Sequence, residues 1–192
     1  MKKSNLSSVR IIGGELRSRK INFPELLGLR PTADRIRETL FNWLQFDIAG
    51  SHCLDLFSGS GALGLESLSR GASTVTLVEK NQVAAKAIQS NLQELNLAGD
   101  VICLDALTWL EGYDNAQGKF DIVYLDPPFG ETLIPAVCQK LEEKNMLYPN
   151  CKIYIEVASD NSELSYPPHW QETKKKKAGN VSYRLLEVGS KP

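Results

Sequence analysis

Histidine is scarce in this chain and paired cysteines are missing, and both shortages narrow the chemistry open to it. The two histidines, His52 and His169, have no partner at metal-ligand spacing, so a structural or exposed role is expected and no metal site is signalled. The four cysteines, Cys53, Cys103, Cys138 and Cys151, are dispersed without a C-x-x-C pair, which argues against a zinc site or a disulfide framework and fits a reducing cytosol. No run of about 18 apolar residues occurs, and no apolar stretch follows the lysines near the start, so neither a membrane span nor a secretion signal is expected. Net charge is also lacking: 22 basic against 23 acidic residues leave -1, so any contact with nucleic acid must use local patches. There is no repeat, and the only low-complexity tract is Lys174 to Lys177. A cytoplasmic chain of 192 residues is expected to form one domain, with 1–31 as an extension and 32–192 as the core.

What is present is an alternation of short apolar runs with helix-like segments. CLDLF precedes GALGLESLSR, TVTLV precedes Val83 to Leu95, VICL precedes Ala106 to Glu111, and FDIVYL precedes Thr132 to Leu141. That order predicts an α/β fold, a mostly parallel sheet with crossover helices on both faces. Lys152 to Val157 supplies a fifth strand, and Trp170 to Val188 a terminal pair, for seven in all. Before the core, Val9 to Leu29 reads as a basic hairpin or arm. Thr32 is placed to cap a helix running to about Phe46, with Ile36, Leu40, Trp43 and Leu44 on one face.

Candidate chemistry clusters where predicted strands end. Gly59, Gly61 and Gly64 have G-x-G-x-x-G spacing between the first strand and a helix, where glycine lets backbone approach a nucleoside cofactor. Such turns also join strands to helices in proteins that bind nothing there. Glu79 directly follows TVTLV, where a carboxylate can accept two hydrogen bonds from ribose hydroxyls; it also reads as a solvated acid at a helix start. Asp105, with Ala106, can meet an adenine or simply cap the next helix, and the two readings have equal weight.

The most specific signal is Asp126-Pro127-Pro128-Phe129 after FDIVYL. Consecutive prolines stiffen the loop, remove N–H groups and push Asp126 towards an extended conformation. A fixed acceptor pair suits a nucleobase amine, whose lone pair is delocalised into the ring. If Asp126 and the Pro127 carbonyl take both amine hydrogens, the nitrogen lone pair is aimed along the methyl–sulfur axis of a donor, catalysis by positioning. Phe129 would stack on the base.

These motifs together resemble the class I methyltransferases that act on planar exocyclic amines. More narrowly, RIIGGELRSRKI, RPTADRIRETLFNWL, LDLFSGSGALGLESLSRGA and YLDPPF resemble the RsmD-type family of 16S rRNA guanine-N2 methyltransferases, over nearly the whole chain. The resemblance implies a Rossmann-like fold, S-adenosylmethionine as cofactor and small-subunit RNA as substrate, within the assembled particle rather than as free RNA. It places Asp55, Phe57, Gly59, Gly61, Glu79, Asp105, Ala106 and Asp126 at the cofactor, and Asp126, Pro127, Pro128 and Phe129 at the reaction. Phe57 departs from the broader D-x-G-x-G-x-G pattern, standing where the first glycine is usual.

Arg10, Arg17, Arg19, Lys20, Arg30, Arg35 and Arg37 precede the first core strand and offer an RNA-facing patch, with Thr32 in the loop that holds Arg30; a solvated face is the bland reading. Lys174 to Lys177 reads rather as a solvated strand edge. A monomer is expected. Rival readings are a nicotinamide or flavin oxidoreductase on the same glycine spacing, a noncatalytic RNA-binding protein, and an N6-adenine methyltransferase using the same tetrapeptide.

Overall fold

The computed structural model describes residues 6–26, 31–114, 118–128, 133–159 and 164–190. A hairpin of β1 (Leu6–Arg10) and β2 (Lys20–Pro24) comes first, antiparallel with Val9 opposite Ile21. The core then runs α1 (Asp34–Trp43), β3 (His52–Asp55), α2 (Ala62–Ser69), β4 (Thr74–Val78), α3 (Gln82–Leu95), β5 (Asp100–Ile102) and α4 (Ala106–Gly112). It continues through β6 (Phe120–Leu125), α5 (Ile134–Glu143), β7 (Leu147–Ala158), β8 (Trp170–Ala178) and β9 (Val181–Val188). Seven strands form one sheet in the order β5-β4-β3-β6-β7-β9-β8. The first five are parallel to one another, and β9 pairs antiparallel with both β7 and β8.

The predicted strand count and the terminal pair are both present, and the pair is antiparallel. The central strands read as continuous apolar runs because both faces are covered: Ile122, Val123, Tyr124 and Leu125 of β6 are all buried. Side-chain alternation divides the core in two. One face packs Cys53, Leu77, Ile122, Tyr124 and Tyr154 under the hairpin, α1, α2 and α3; the other packs Leu54, Val78, Val123, Ile153 and Leu186 under α4 and α5.

Helix ends follow their chemistry. Asn81 caps α3 by accepting from the N–H groups of Val83 and Ala84, and Asn96 ends it in the left-handed region at φ 53°. By contrast, Thr32 does not cap α1. The N-cap position is Ala33, without a side-chain bond, and the helix stops at Trp43 rather than Phe46. Trp43 stacks on Tyr183 with ring centroids 5.5 Å apart, which ties the end of α1 to β9.

The hairpin is bound to the core rather than free. Asn91 of α3 exchanges two hydrogen bonds with the backbone of Asn22, at 3.0 and 2.7 Å. Glu66 of α2, fully buried, accepts from the N–H groups of Ile12 and Gly13, both at 2.8 Å. Its oxygens also accept from Arg37 at 3.2 Å and Arg70 at 2.8 Å. Arg37 is itself fully buried, so it cannot belong to an RNA-facing patch; the sequence shows its charge but not its burial. Lys174 to Lys177 lie exposed on β8, the outer strand of the sheet, the edge placement expected for them.

Candidate active site

Where the strand order reverses between β3 and β6, an open α/β sheet leaves a crevice beyond the strand carboxyl ends. The sequence-selected acids converge there. Asp55 is the last residue of β3, while Glu79 and Asp126 immediately follow β4 and β6. Leu77, Asp55, Tyr124 and Tyr154 sit side by side in register, and the residue two positions beyond Tyr154 on β7 points to the same face. This brings in Glu156 of β7, which the sequence reading did not select. An acid inside the apolar run KIYIEV was the available signal.

The glycine turn has separable parts. Gly61 has φ 78°, and a β-carbon there would lie 2.7 Å from Leu65. At Gly64 it would lie 2.6 Å from Leu77, so this residue lets α2 pack on β4. Among the described residues a β-carbon on Gly59 would meet only the Phe57 carbonyl oxygen, at 3.9 Å, and these residues leave open space beside the loop at that point. The Gly59 N–H donates to Glu79 at 2.8 Å, and the Asn81 N–H donates to its other oxygen at 2.7 Å. Glu79 thus belongs to the glycine turn, and the helix start is capped by Asn81. Each carboxylate oxygen has a second lone pair that a ribose hydroxyl can use.

Asp55 is buried and accepts from the Gly64 N–H at 3.2 Å. Burial, opposed by that hydrogen bond and reinforced by the charge of Glu79, pushes its carboxyl up to about 7. Phe57 is half-buried and packs beneath the loop on the α4–α5 side of the core. Asp105 caps α4 by accepting from Leu107 at 3.0 Å and Thr108 at 3.2 Å, with Ala106 buried behind it. The capping reading of Asp105 is thus realised; its exposed carboxylate remains at the same edge as the glycine turn.

Asp126 is half-buried, Pro127 buried and Pro128 exposed. Phe129 and Arg30 lie outside the described residues. The Asp126 carboxylate accepts from the Thr32 hydroxyl at 3.2 Å, a residue 94 positions earlier. Burial of the carboxyl, reinforced by the neighbouring charges of Glu156 and Asp55, raises it well above the ordinary range, against the lowering effect of Thr32. Glu156, buried, accepts from the Tyr154 hydroxyl at 2.7 Å and is raised chiefly by burial. Two neighbouring acids in such a place resist simultaneous ionisation.

Of the basic residues proposed for RNA, Arg10, Arg17, Arg19 and Arg35 are exposed, although Arg10 also pairs with Asp34 at 3.2 Å. Thr32 is buried, with its hydroxyl turned to Asp126. Among the described residues, no cluster of three or more His, Cys, Asp or Glu can hold a metal, and no helix is long and apolar enough to cross a membrane. Two depressions of about 270 and 300 Å³ lie around Asp121 and Lys152 and around Leu147 and Gly189, away from these acids. They carry none of the chemistry above. The open space at Gly59, the spare acceptors of Glu79 and the crowded acids fit a nucleoside that bears positive charge.

Comparison with known proteins agrees with this geometry. The profile of the family described as Conserved hypothetical protein 95 matches residues 9–187. Ribosomal RNA small subunit methyltransferase D of Haemophilus influenzae is 44% identical over 182 residues, 93% of this chain and 93% of that protein. Its Escherichia coli counterpart is 42% identical over 192 residues, covering 97% and 95%. The solved structure of yhhF from Escherichia coli, provisionally described as a methyltransferase, superposes with a TM-score of 0.89 at 37% identity, over 96% of this chain and all of that one.

Proposed function

Because the chain belongs to the RsmD-type family of ribosomal RNA methyltransferases, we propose that it methylates the exocyclic N2 amine of a guanine in 16S rRNA, within the assembled small subunit. It acts as a cytoplasmic, single-domain monomer without a metal. The observation that carries the reading is the position of Asp126, a carboxylate fixed before Pro127 and Pro128 on the same sheet edge as the glycine turn and Glu79.

Gly59, Gly61, Glu79 and Asp55, with Asp105 and Ala106 at the adenine end, hold S-adenosylmethionine, and Phe57 supports the turn from below. When bound, this cofactor supplies an electrophilic methyl group on a sulfonium. Asp126 and the Pro127 carbonyl accept the two amine hydrogens, which turns the nitrogen lone pair towards the methyl group. No strong base is needed to start the reaction. On gaining the methyl group the nitrogen becomes cationic and acidic, and it passes its extra proton to Asp126, which has Glu156 as its neighbour. Pro128 keeps the loop rigid, and Phe129 provides the stacking surface. Arg10, Arg17, Arg19, Arg30 and Arg35 grip phosphates of the RNA.

Transfer of radiolabelled methyl groups to small subunits lacking the modification, compared with free rRNA and DNA and followed by nucleoside analysis, tests the reading. N2-methylguanosine formed in the subunit is the expected product. N6-methyladenosine would move the substrate to adenine while keeping the reaction geometry, and no transfer with intact cofactor binding would refute the proposal.

A further inference from the structure

Thr32 lies far from the catalytic strands in sequence, in the segment between the basic hairpin and α1, yet its hydroxyl reaches Asp126. Its side chain is buried, and its own backbone is anchored: the Thr32 carbonyl accepts from Nε of Arg37 at 3.2 Å. Arg37 is held in turn from three sides. It donates to the Arg10 carbonyl of the hairpin at 2.9 Å, to Asp34 of its own helix at 2.8 Å and to Glu66 of α2 at 3.2 Å. The same α2 follows the glycine turn. One buried network therefore sets the position of Thr32 relative to both the cofactor loop and the end of β6.

We infer that Thr32 is a positioning residue for Asp126, fixing one carboxylate oxygen so that the other is free to accept an amine hydrogen of the substrate. The inference rests on the methyl-transfer reading above. A carboxylate that must aim a lone pair gains from losing rotational freedom, because a small misplacement of the acceptor is costly in a reaction catalysed by orientation. Only a donor can do this, since among the described residues Asp126 is otherwise faced by acids, Glu156 from β7 and Asp55 from β3. The hydroxyl also favours the ionised form of Asp126, which is the form able to accept both a substrate hydrogen and the product proton. Through the Arg10 carbonyl and Arg37, the N-terminal extension is thereby tied to the catalytic unit.

The test compares Thr32→Val, which keeps the shape and removes the donor, with Thr32→Ser, which keeps the donor. With small subunits as substrate, T32V is expected to lower kcat by roughly ten- to a hundredfold, while the KM for the subunit and the Kd for the cofactor stay within about twofold; T32S should recover most of the rate. The carboxyl carbon resonance of Asp126, followed by NMR against pH, gives a readout that needs no substrate. Its midpoint should move to higher pH in T32V and stay near the wild-type value in T32S. If wild-type protein transfers methyl groups but T32V neither slows the reaction nor moves the midpoint, the positioning role is overturned. A rise in KM for the subunit at unchanged kcat would overturn it too, making Thr32 an RNA contact. If wild-type protein transfers nothing while the midpoint still moves, the methyl-transfer reading has failed and the hydrogen bond has not.

Discussion

Glu66→Gln removes one negative charge and almost no volume, yet the structure predicts a large loss of stability. All four acceptor positions of Glu66 are taken by donors: Ile12 N–H and Arg37 on one oxygen, Gly13 N–H and Arg70 on the other. A glutamine must place its amide NH₂ against one of these two pairs, whichever way it turns. The substitution also leaves Arg37, fully buried, with only the half-exposed Asp34 as a counter-charge. Removing one partner of a buried ion pair typically costs about 3–5 kcal/mol. For a chain of this size about 2–4 °C of Tm follows each kcal/mol, so the melting temperature should fall by roughly 6–20 °C. Thermal melts at one pH and salt concentration measure this. Hydrogen exchange at Ile12 and Gly13, expected to accelerate, shows whether the hairpin is what comes loose. A Tm within about 2 °C of wild type, with exchange unchanged, would refute the claim that Glu66 clamps hairpin and core together.

Asp126→Ala should lower turnover by at least about a hundredfold and leave cofactor affinity nearly intact, since its role is confined to the reacting geometry; single-turnover rates and calorimetry separate the two, and equal losses would contradict the assignment. Glu79→Ala should weaken S-adenosylmethionine binding by about 1.5–3 kcal/mol, the worth of a hydrogen bond to a charged group, and unchanged affinity would confine Glu79 to bracing the glycine turn. Asp55, raised to about 7 in the folded protein, should make the unliganded protein less stable as pH rises from near 4 to 7, because over that window the unfolded chain releases a proton that the folded chain retains. Asp55→Asn should flatten that slope and stabilise the unliganded protein at pH 8 by a few kcal/mol, of the order implied by the shift. Denaturant midpoints across pH measure it, and an unchanged slope would rule out Asp55 as its source.

The elements legible in the sequence were those whose signal is local. Continuous apolar strands, the aspartate cap that is one of two readings of Asp105, and the proline pair after Asp126 each show their physical cause within a few residues. The residues misread or missed act across the chain. Arg37 counted as a surface charge because nothing local reveals that Glu66, 29 positions later, meets it in the interior. Thr32 suited an N-cap, yet its hydroxyl is drawn away by a carboxylate 94 positions distant. Glu66 and Glu156 did carry a signal. Each is an acid within an otherwise apolar segment that ends buried, GALGLESLS in one case and KIYIEV in the other, where a charge persists only if donors surround it.

Asp55 ends β3, Glu156 lies on β7, and Glu79 and Asp126 directly follow β4 and β6, so the four acids gather at the ends of four adjacent strands. Each is held by neutral donors: backbone N–H groups for Glu79 and Asp55, a threonine hydroxyl for Asp126 and a tyrosine hydroxyl for Glu156. The contrast with Glu66 is instructive, because there the same buried carboxylate is neutralised by two arginines. Cations at the strand edge would stabilise the folded chain but would also compete with a positively charged ligand. Neutral donors orient the carboxylates without adding positive charge, at the cost of raised carboxyl pKa values at Asp55, Asp126 and Glu156 and of some stability in the unliganded protein. A ligand carrying a sulfonium relieves that repulsion on binding. Its affinity should therefore rise between pH 6 and 8 as Asp55 ionises, and Asp55→Asn should weaken both the affinity and its dependence on pH.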